Sequence, residues 1–118
     1  MIPFLEKRVL NFIHTQEKLY GKSLTSDLRK PLIDYFKMFY ADTVLGGSAS
    51  ALRCGLDFFG ADKIVFASDC PFDPEGGPMY IREGIRSVED LNLSENDKRK
   101  IYFGNAMRLM RMPQKEAK

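Results

Sequence analysis

Two aspartates stand directly behind apolar runs, which is where an α/β protein can use a carboxylate for chemistry. Asp69 follows Lys63-Ile64-Val65-Phe66-Ala67-Ser68 and precedes Cys70-Pro71-Phe72, and Asp42 lies within Met38-Phe39-Tyr40-Ala41-Asp42-Thr43-Val44. From residue type alone, Asp69 is a turn carboxylate or N-cap before Pro71, since Asp-x-Pro suits any exit from a strand. Asp42 is either a pocket carboxylate or a local hydrogen-bond acceptor. Gly46-Gly47-Ser48 can cradle an anion at a helix N-terminus, or form a tight turn with Ser48 as N-cap, and the second reading is the simpler one. Cys70, beside this candidate pocket, is a possible reactive thiol with no histidine near it in sequence. Cys54 falls in a helix with apolar residues and reads as a small buried hydrophobe. His14, the one histidine, belongs on the exposed side of the first helix. The two cysteines form no C-x-x-C pair, which argues against a structural zinc knuckle.

The elements that must position these groups follow from periodicity. Ile2, Leu5, Val9, Phe12 and Ile13 recur at intervals of three and four, so an amphipathic helix is expected from Ile2 to about Tyr20, with Gly21 as its stop. Pro31 opens one or two helical turns through Phe36. The runs 38–44 and 63–67 are aromatic and β-branched and predict two buried strands. Between them Ser48 caps a helix carrying Leu52, Leu56 and Phe59 and ending at Gly60. Strand, helix, strand with short joints makes a βαβ unit, so the strands are expected parallel with a right-handed crossover, and the residues after each share the carboxyl edge of the sheet where sites are built. Residues 70–78 hold three prolines and two glycines and can only be a loop. A helix over Met79–Val88 follows, and Ser94-x-x-Asp97 predicts a capping box for a last helix through about Met110. Two parallel strands leave open edges on both sides, which reads as part of something larger.

Composition narrows the class. Nine Phe and five Tyr furnish a core, and 18 Lys+Arg against 16 Asp+Glu leave a net charge of +2 with both signs scattered, so neither a nucleic-acid surface nor an anionic-membrane surface is expected. No apolar stretch reaches a membrane span, and Met1-Ile2-Pro3-Phe4 runs at once into Glu6, Lys7 and Arg8, unlike a signal peptide. A soluble cytoplasmic α/β protein is the expectation.

Phe66-Ala67-Ser68-Asp69-Cys70-Pro71-Phe72 resembles the strand-eight signature, Ser/Thr-Asp-Tyr-Pro-Phe, of the amidohydrolase-related family that includes aminocarboxymuconate-semialdehyde decarboxylase and resorcylate-type decarboxylases. Three further pieces agree in order: Tyr40-Ala41-Asp42-Thr43 as strand seven, the approach Leu56-Asp57-Phe58-Phe59-Gly60-Ala61-Asp62-Lys63-Ile64, and Gly104-Asn105-Ala106-x-x-Leu109 in the closing helix. The resemblance implies an α/β fold, the C-terminal portion of a (β/α)8 barrel, with two parallel strands and flanking helices. Residues 1–112 are then a partial barrel from about the exit of strand six to the closing helix, and 113–118 a basic tail.

The same resemblance implies the function: metal-dependent hydrolysis, or lyase-type non-oxidative decarboxylation, of a small carboxylated substrate. It makes Asp69 the metal ligand or proton acceptor, with a divalent ion, zinc, as cofactor and Pro71 and Phe72 shaping the substrate pocket. The family's histidines from strands one, five and six have no counterpart here, His14 does not match them, and Cys70 replaces the usual Tyr. Catalytic zinc takes about three protein ligands, so the chain alone is expected to bind no metal and to be inactive. The expected partners are the substrate and a homo-oligomer or complementary barrel chain. The alternative is a non-catalytic interaction module, or remnant, that assembles through its open strand edges.

Overall fold

A computed structural model describes residues 1–113 and divides the chain into two compact units, Met1–Phe39 and Tyr40–Lys118. In the first, helix α1 (Ile2–Tyr20) runs the expected length and stops at Gly21, whose φ of 60° is the left-handed conformation that glycine adopts at no steric cost. Below it Glu17 Oε1 accepts from Leu24 N (2.8 Å), Thr25 Oγ1 (2.9 Å) and Ser23 Oγ (3.0 Å), which folds the polar turn back on the helix and lowers the Glu17 carboxyl pKa. Pro31 precedes the short α2 (Leu32–Phe36), and Ile2, Leu5, Val9, Ile33 and Phe36 line an apolar pocket of about 130 Å³ between the two helices.

The second unit holds β1 (Ala41–Asp42), α3 (Ala49–Phe59), a 3-10 turn (Ala61–Lys63), β2 (Ile64–Val65) and α4 (Pro78–Glu89). A continuous helical run follows: α5 (Glu95–Arg99), a π-helical turn (Lys100–Gly104) and α6 (Asn105–Leu109). The strands are parallel, as expected, with Ala41 opposite Ile64 and Asp42 opposite Val65. They are much shorter than the apolar runs predict. Met38 and Phe39 are exposed and continue the turn after α2, through Met38 N to Tyr35 O and Phe39 N to Phe36 O. At the other end Asp42 Oδ1 takes the Val44 N–H at 2.9 Å and breaks the extended backbone. Beyond Val65 the pairing continues through a side chain. Thr43 Oγ1 donates to Ala67 O (2.9 Å) and accepts from Ala67 N (3.0 Å), standing in for a backbone rung.

Residues in matching register share a face of the sheet and alternate along each strand, so Ala41, Thr43, Ile64 and Phe66 face one way and Asp42 and Val65 the other. The first face is the core: Ile64, Val88 and Ile101 are fully buried, Leu52 and Leu56 join them, and Phe66 lies against Gly84. Burial of such side chains contributes about 1.5–3 kcal/mol each. On the second face Asp42 is exposed and Val65 half-buried. Cys54 is exposed rather than buried. Two positions after buried Leu52 is about 200° round the helix, which carries Cys54 away from the Leu52–Leu56 stripe.

The edges of the sheet also differ from expectation. Phe66 N donates to Ile101 O at 2.8 Å, and Asn105 Nδ2 donates to Ile64 O and to Ala61 O, each at 2.7 Å. The outer edge of β2 is therefore taken by the closing helix, while among the described residues no strand pairs with the outer edge of β1. Ser94 caps the closing run as predicted, accepting Asp97 N at 3.1 Å, but the Asp97 carboxylate accepts the Ser94 hydroxyl instead of reaching back to the backbone. Of the expected basic tail, residues 114–118 lie outside the described residues. Among the described residues no helix is long and apolar enough to cross a membrane.

Candidate functional site

Asp69 sits four residues beyond β2, on the carboxyl edge of the sheet, exposed and at φ 56°. Holding a non-glycine residue there costs of order 1–3 kcal/mol, less for Asp and Asn, and such strain concentrates at functional positions. Asp69 O accepts the Phe72 N–H at 2.9 Å, which closes a four-residue turn whose Cys70–Pro71 peptide is cis. Pro71 is exposed, and Phe72 is 77% exposed at the tip of the turn.

The loop behind this turn is built on Asp73, which residue-by-residue reading of the sequence passed over. Helix α4 begins Gly77-Pro78, so its own N-cap position offers no side chain, and its first N–H groups need an acceptor from elsewhere. Asp73 supplies it: Oδ2 accepts from Tyr80 N at 3.0 Å and Oδ1 from Glu75 N at 2.7 Å. Burial pushes the Asp73 carboxyl up, but the N–H groups of Tyr80, Gly77, Glu75 and Met79 outweigh it and hold the group below its ordinary value. The signal in the sequence was an acid five positions ahead of Pro78, in front of a helix with no local cap. Gly77 completes the fit. It has φ 129°, and a Cβ on it would come within 2.5 Å of Cys70 Sγ, so the thiol lies against loop backbone.

Asp42 spends Oδ1 on Val44 N, a local structural use. Gly46-Gly47-Ser48 is a turn and N-cap: Ser48 Oγ accepts Ala51 N at 3.3 Å, and a Cβ on Gly47 would meet Glu83 Cβ at 2.8 Å, with the Glu83 carboxylate alongside, a poor neighbour for an anion. His14 is exposed on α1, in the other unit. Asn105, in the family-like stretch Gly104-Asn105-Ala106, is buried and ties the closing helix to residues far back in the chain.

Residues 7–112 match the amidohydrolase family model. The chain belongs to that family. Over 85 residues, 71% of this chain, it is 31% identical to gamma-resorcylate decarboxylase of Polaromonas sp. (strain JS666 / ATCC BAA-500), and those residues are 24% of that protein. Among solved structures it is similar to IDCase of Metarhizium anisopliae in apo form, with a TM-score of 0.76 and 26% identity, covering 93% of this chain and 31% of that one. It is also similar to 5-carboxyvanillate decarboxylase of Sphingomonas paucimobilis, with a TM-score of 0.68 and 25% identity, covering 95% of this chain and 31% of that one. The matched residues thus span 24% to 31% of the length of these relatives.

The family resemblance implies a divalent metal, and the donors on this chain do not fit one by themselves. Among the described residues no three of His, Cys, Asp and Glu come together to hold an ion. Asp73 is saturated by backbone N–H groups, one oxygen of Asp42 is engaged, and Cys70 faces Gly77. Asp69 is left as a carboxylate at the sheet edge that accepts no hydrogen bond from another described residue.

Proposed function

We propose that residues 1–112 form the C-terminal portion of a (β/α)8 barrel enzyme that removes the carboxyl group of a small, carboxylated aromatic acid without net oxidation. Asp69 contributes one carboxylate to the active site, and Pro71 and Phe72 shape the mouth of the substrate pocket. The carrying observation is the relation to gamma-resorcylate decarboxylase over 71% of this chain, with Asp69 in the stretch that resembles the family's strand-eight signature. The remaining donors of a metal site, zinc by resemblance, belong to residues this chain does not carry, so the chain alone is inactive. Hydrolysis is the second activity the family resemblance allows, and it acts at the same sheet edge.

The test is a chimera in which this chain replaces the matching segment of the Polaromonas enzyme. Carbon dioxide release from gamma-resorcylate is expected, and Asp69→Asn is expected to abolish it with melting unchanged. An Asp69→Asn chimera that still turns over removes Asp69 from the active site, whereas an active site that cleaves esters or amides but releases no carbon dioxide selects hydrolysis.

A further inference from the structure

Among the described residues, hydrogen bonds tie the turn that presents Asp69 to the sheet at one point. The bonds of residues 68–72 close within the turn itself, from Cys70 N to Ser68 Oγ (3.4 Å) and from Phe72 N to Asp69 O (2.9 Å). Its far end is anchored on α4, where Asp73 Oδ2 takes Tyr80 N. Its near end is Ala67, two residues from Asp69, and both backbone groups of Ala67 are held by the Thr43 hydroxyl, at 2.9 Å to O and 3.0 Å from N. The backbone of β1 does not supply this rung. Thr43 O is taken by Leu45 N at 2.8 Å and Val44 N by Asp42 Oδ1 at 2.9 Å, so the chain turns out of the sheet at residue 43. Thr43 is 2% exposed and closed in by α4, where a Cβ on Gly84 would stand 4.0 Å from Thr43 Oγ1. A buried hydroxyl that spends its proton and a lone pair on one residue keeps a single rotamer and fixes that residue in turn. Valine has nearly the same shape and lacks the hydroxyl.

We propose that Thr43 is a positioning residue for the Asp69 carboxylate: by fixing Ala67 it sets where β2 ends, and hence where the turn places that carboxylate on the sheet edge. Thr43 acts through the backbone and touches no reacting atom. The proposal deepens the decarboxylase reading of the same site and rests on it for activity, while its geometry stands on the Thr43–Ala67 bonds. Rate depends steeply on such placement, since a displacement of about 1 Å costs on the order of 100-fold.

Thr43→Val and Thr43→Ser are made both in the chimera with the Polaromonas enzyme and in the chain alone. In the chimera Thr43→Val is expected to lower kcat for carbon dioxide release about 100-fold with KM within about twofold, and Thr43→Ser, which keeps the hydroxyl, to restore kcat to within about fivefold. Val88→Ala is the control for stability alone. It truncates the core, leaves the Thr43–Ala67 bonds in place, and should keep kcat within about twofold at a temperature well below its melting. In the chain alone, exchange of the Ala67 amide should quicken at least about tenfold in Thr43→Val while the Phe66 amide stays protected. The strong amide–Hα cross-peak that Asp69 gives at φ 56° should weaken in Thr43→Val and persist in Thr43→Ser. Without any substitution, the Thr43 hydroxyl proton should exchange slowly and show a cross-peak to the Ala67 amide. An absent hydroxyl signal, an unchanged Asp69 cross-peak, a loss of kcat that Val88→Ala reproduces or Thr43→Ser does not repair, or a Thr43→Val chain that does not fold each overturns the proposal. A parent chimera that releases no carbon dioxide, with the Asp69 cross-peak lost in Thr43→Val, removes the decarboxylase reading and leaves the positioning role standing. Turnover in the parent chimera with kcat unchanged in Thr43→Val does the reverse.

Discussion

On its helix side β2 is fixed by groups with no freedom left: Ile64 and Ile101 are fully buried, Phe66 N is bonded to Ile101 O, and the Asn105 amide spans Ala61 and Ile64. Beyond its carboxyl end the chain turns through Asp69 at positive φ, exposed and with a carboxylate that accepts no hydrogen bond from another described residue, and Phe72 is exposed beside it. The contrast is one between stability and the chemistry proposed for Asp69, at two sides of the same strand. The helix side contributes folding energy, and the sheet edge keeps a carboxylate available at the expense of strain.

Substitutions should follow that division. The largest effect is expected for Ile101→Ala, which empties part of the core and should lower unfolding free energy by about 2–5 kcal/mol in a urea titration. A loss under 1 kcal/mol would mean that the core can collapse around the gap and the contrast is weaker than drawn. Asn105→Ala comes next. It leaves Ile64 O in β2 and Ala61 O in the turn before it without their donor, and about 1–3 kcal/mol should be lost, with faster exchange at Phe66 as the local sign.

Asp73 tests the loop that joins the two regimes. Its folded carboxyl titrates below the ordinary value of 3.8, so its contribution is intact above that pH and is lost as pH falls through the still lower folded value. Exchange at the Glu75 and Tyr80 amides should accelerate over that acid window, and Asp73→Asn should remove the pH dependence there. Equal acceleration in the variant would assign the effect to another carboxylate. The smallest effect belongs to Asp69→Asn, expected to change stability by less than about 0.5 kcal/mol, since Asn tolerates the left-handed conformation and no bond to a described side chain is lost. Asp69→Val, a β-branched residue at the same φ, should cost about 1–3 kcal/mol. Equal stability of the two variants would show that the backbone at Asp69 is not strained.

Much of this was legible in the residues themselves. The Ile2–Tyr20 helix, its stop at Gly21, the Ser48 and Ser94 caps and the parallel order of the strands were each written within a few positions of where they act. The family was legible in the stretch around Asp69, because a motif is a local string. Strand length was not, because an apolar run says that residues are buried or could be, and only a neighbour at the right register makes them a strand. Met38 and Phe39 had no such neighbour.

The sequence by itself determined the helices, their ends, the family and the position of Asp69 after a strand. Only the tertiary structure decided that Thr43 would complete the ladder at Ala67, 24 residues on, that Asn105 would hold Ile64 from 41 residues away, that Cys54 would face solvent, and that the closing helix would bond the outer edge of β2. The reason is physical. Caps and periodicity depend on groups that the chain itself brings within reach, whereas the partner of a strand edge depends on which distant segment the packed core delivers to it.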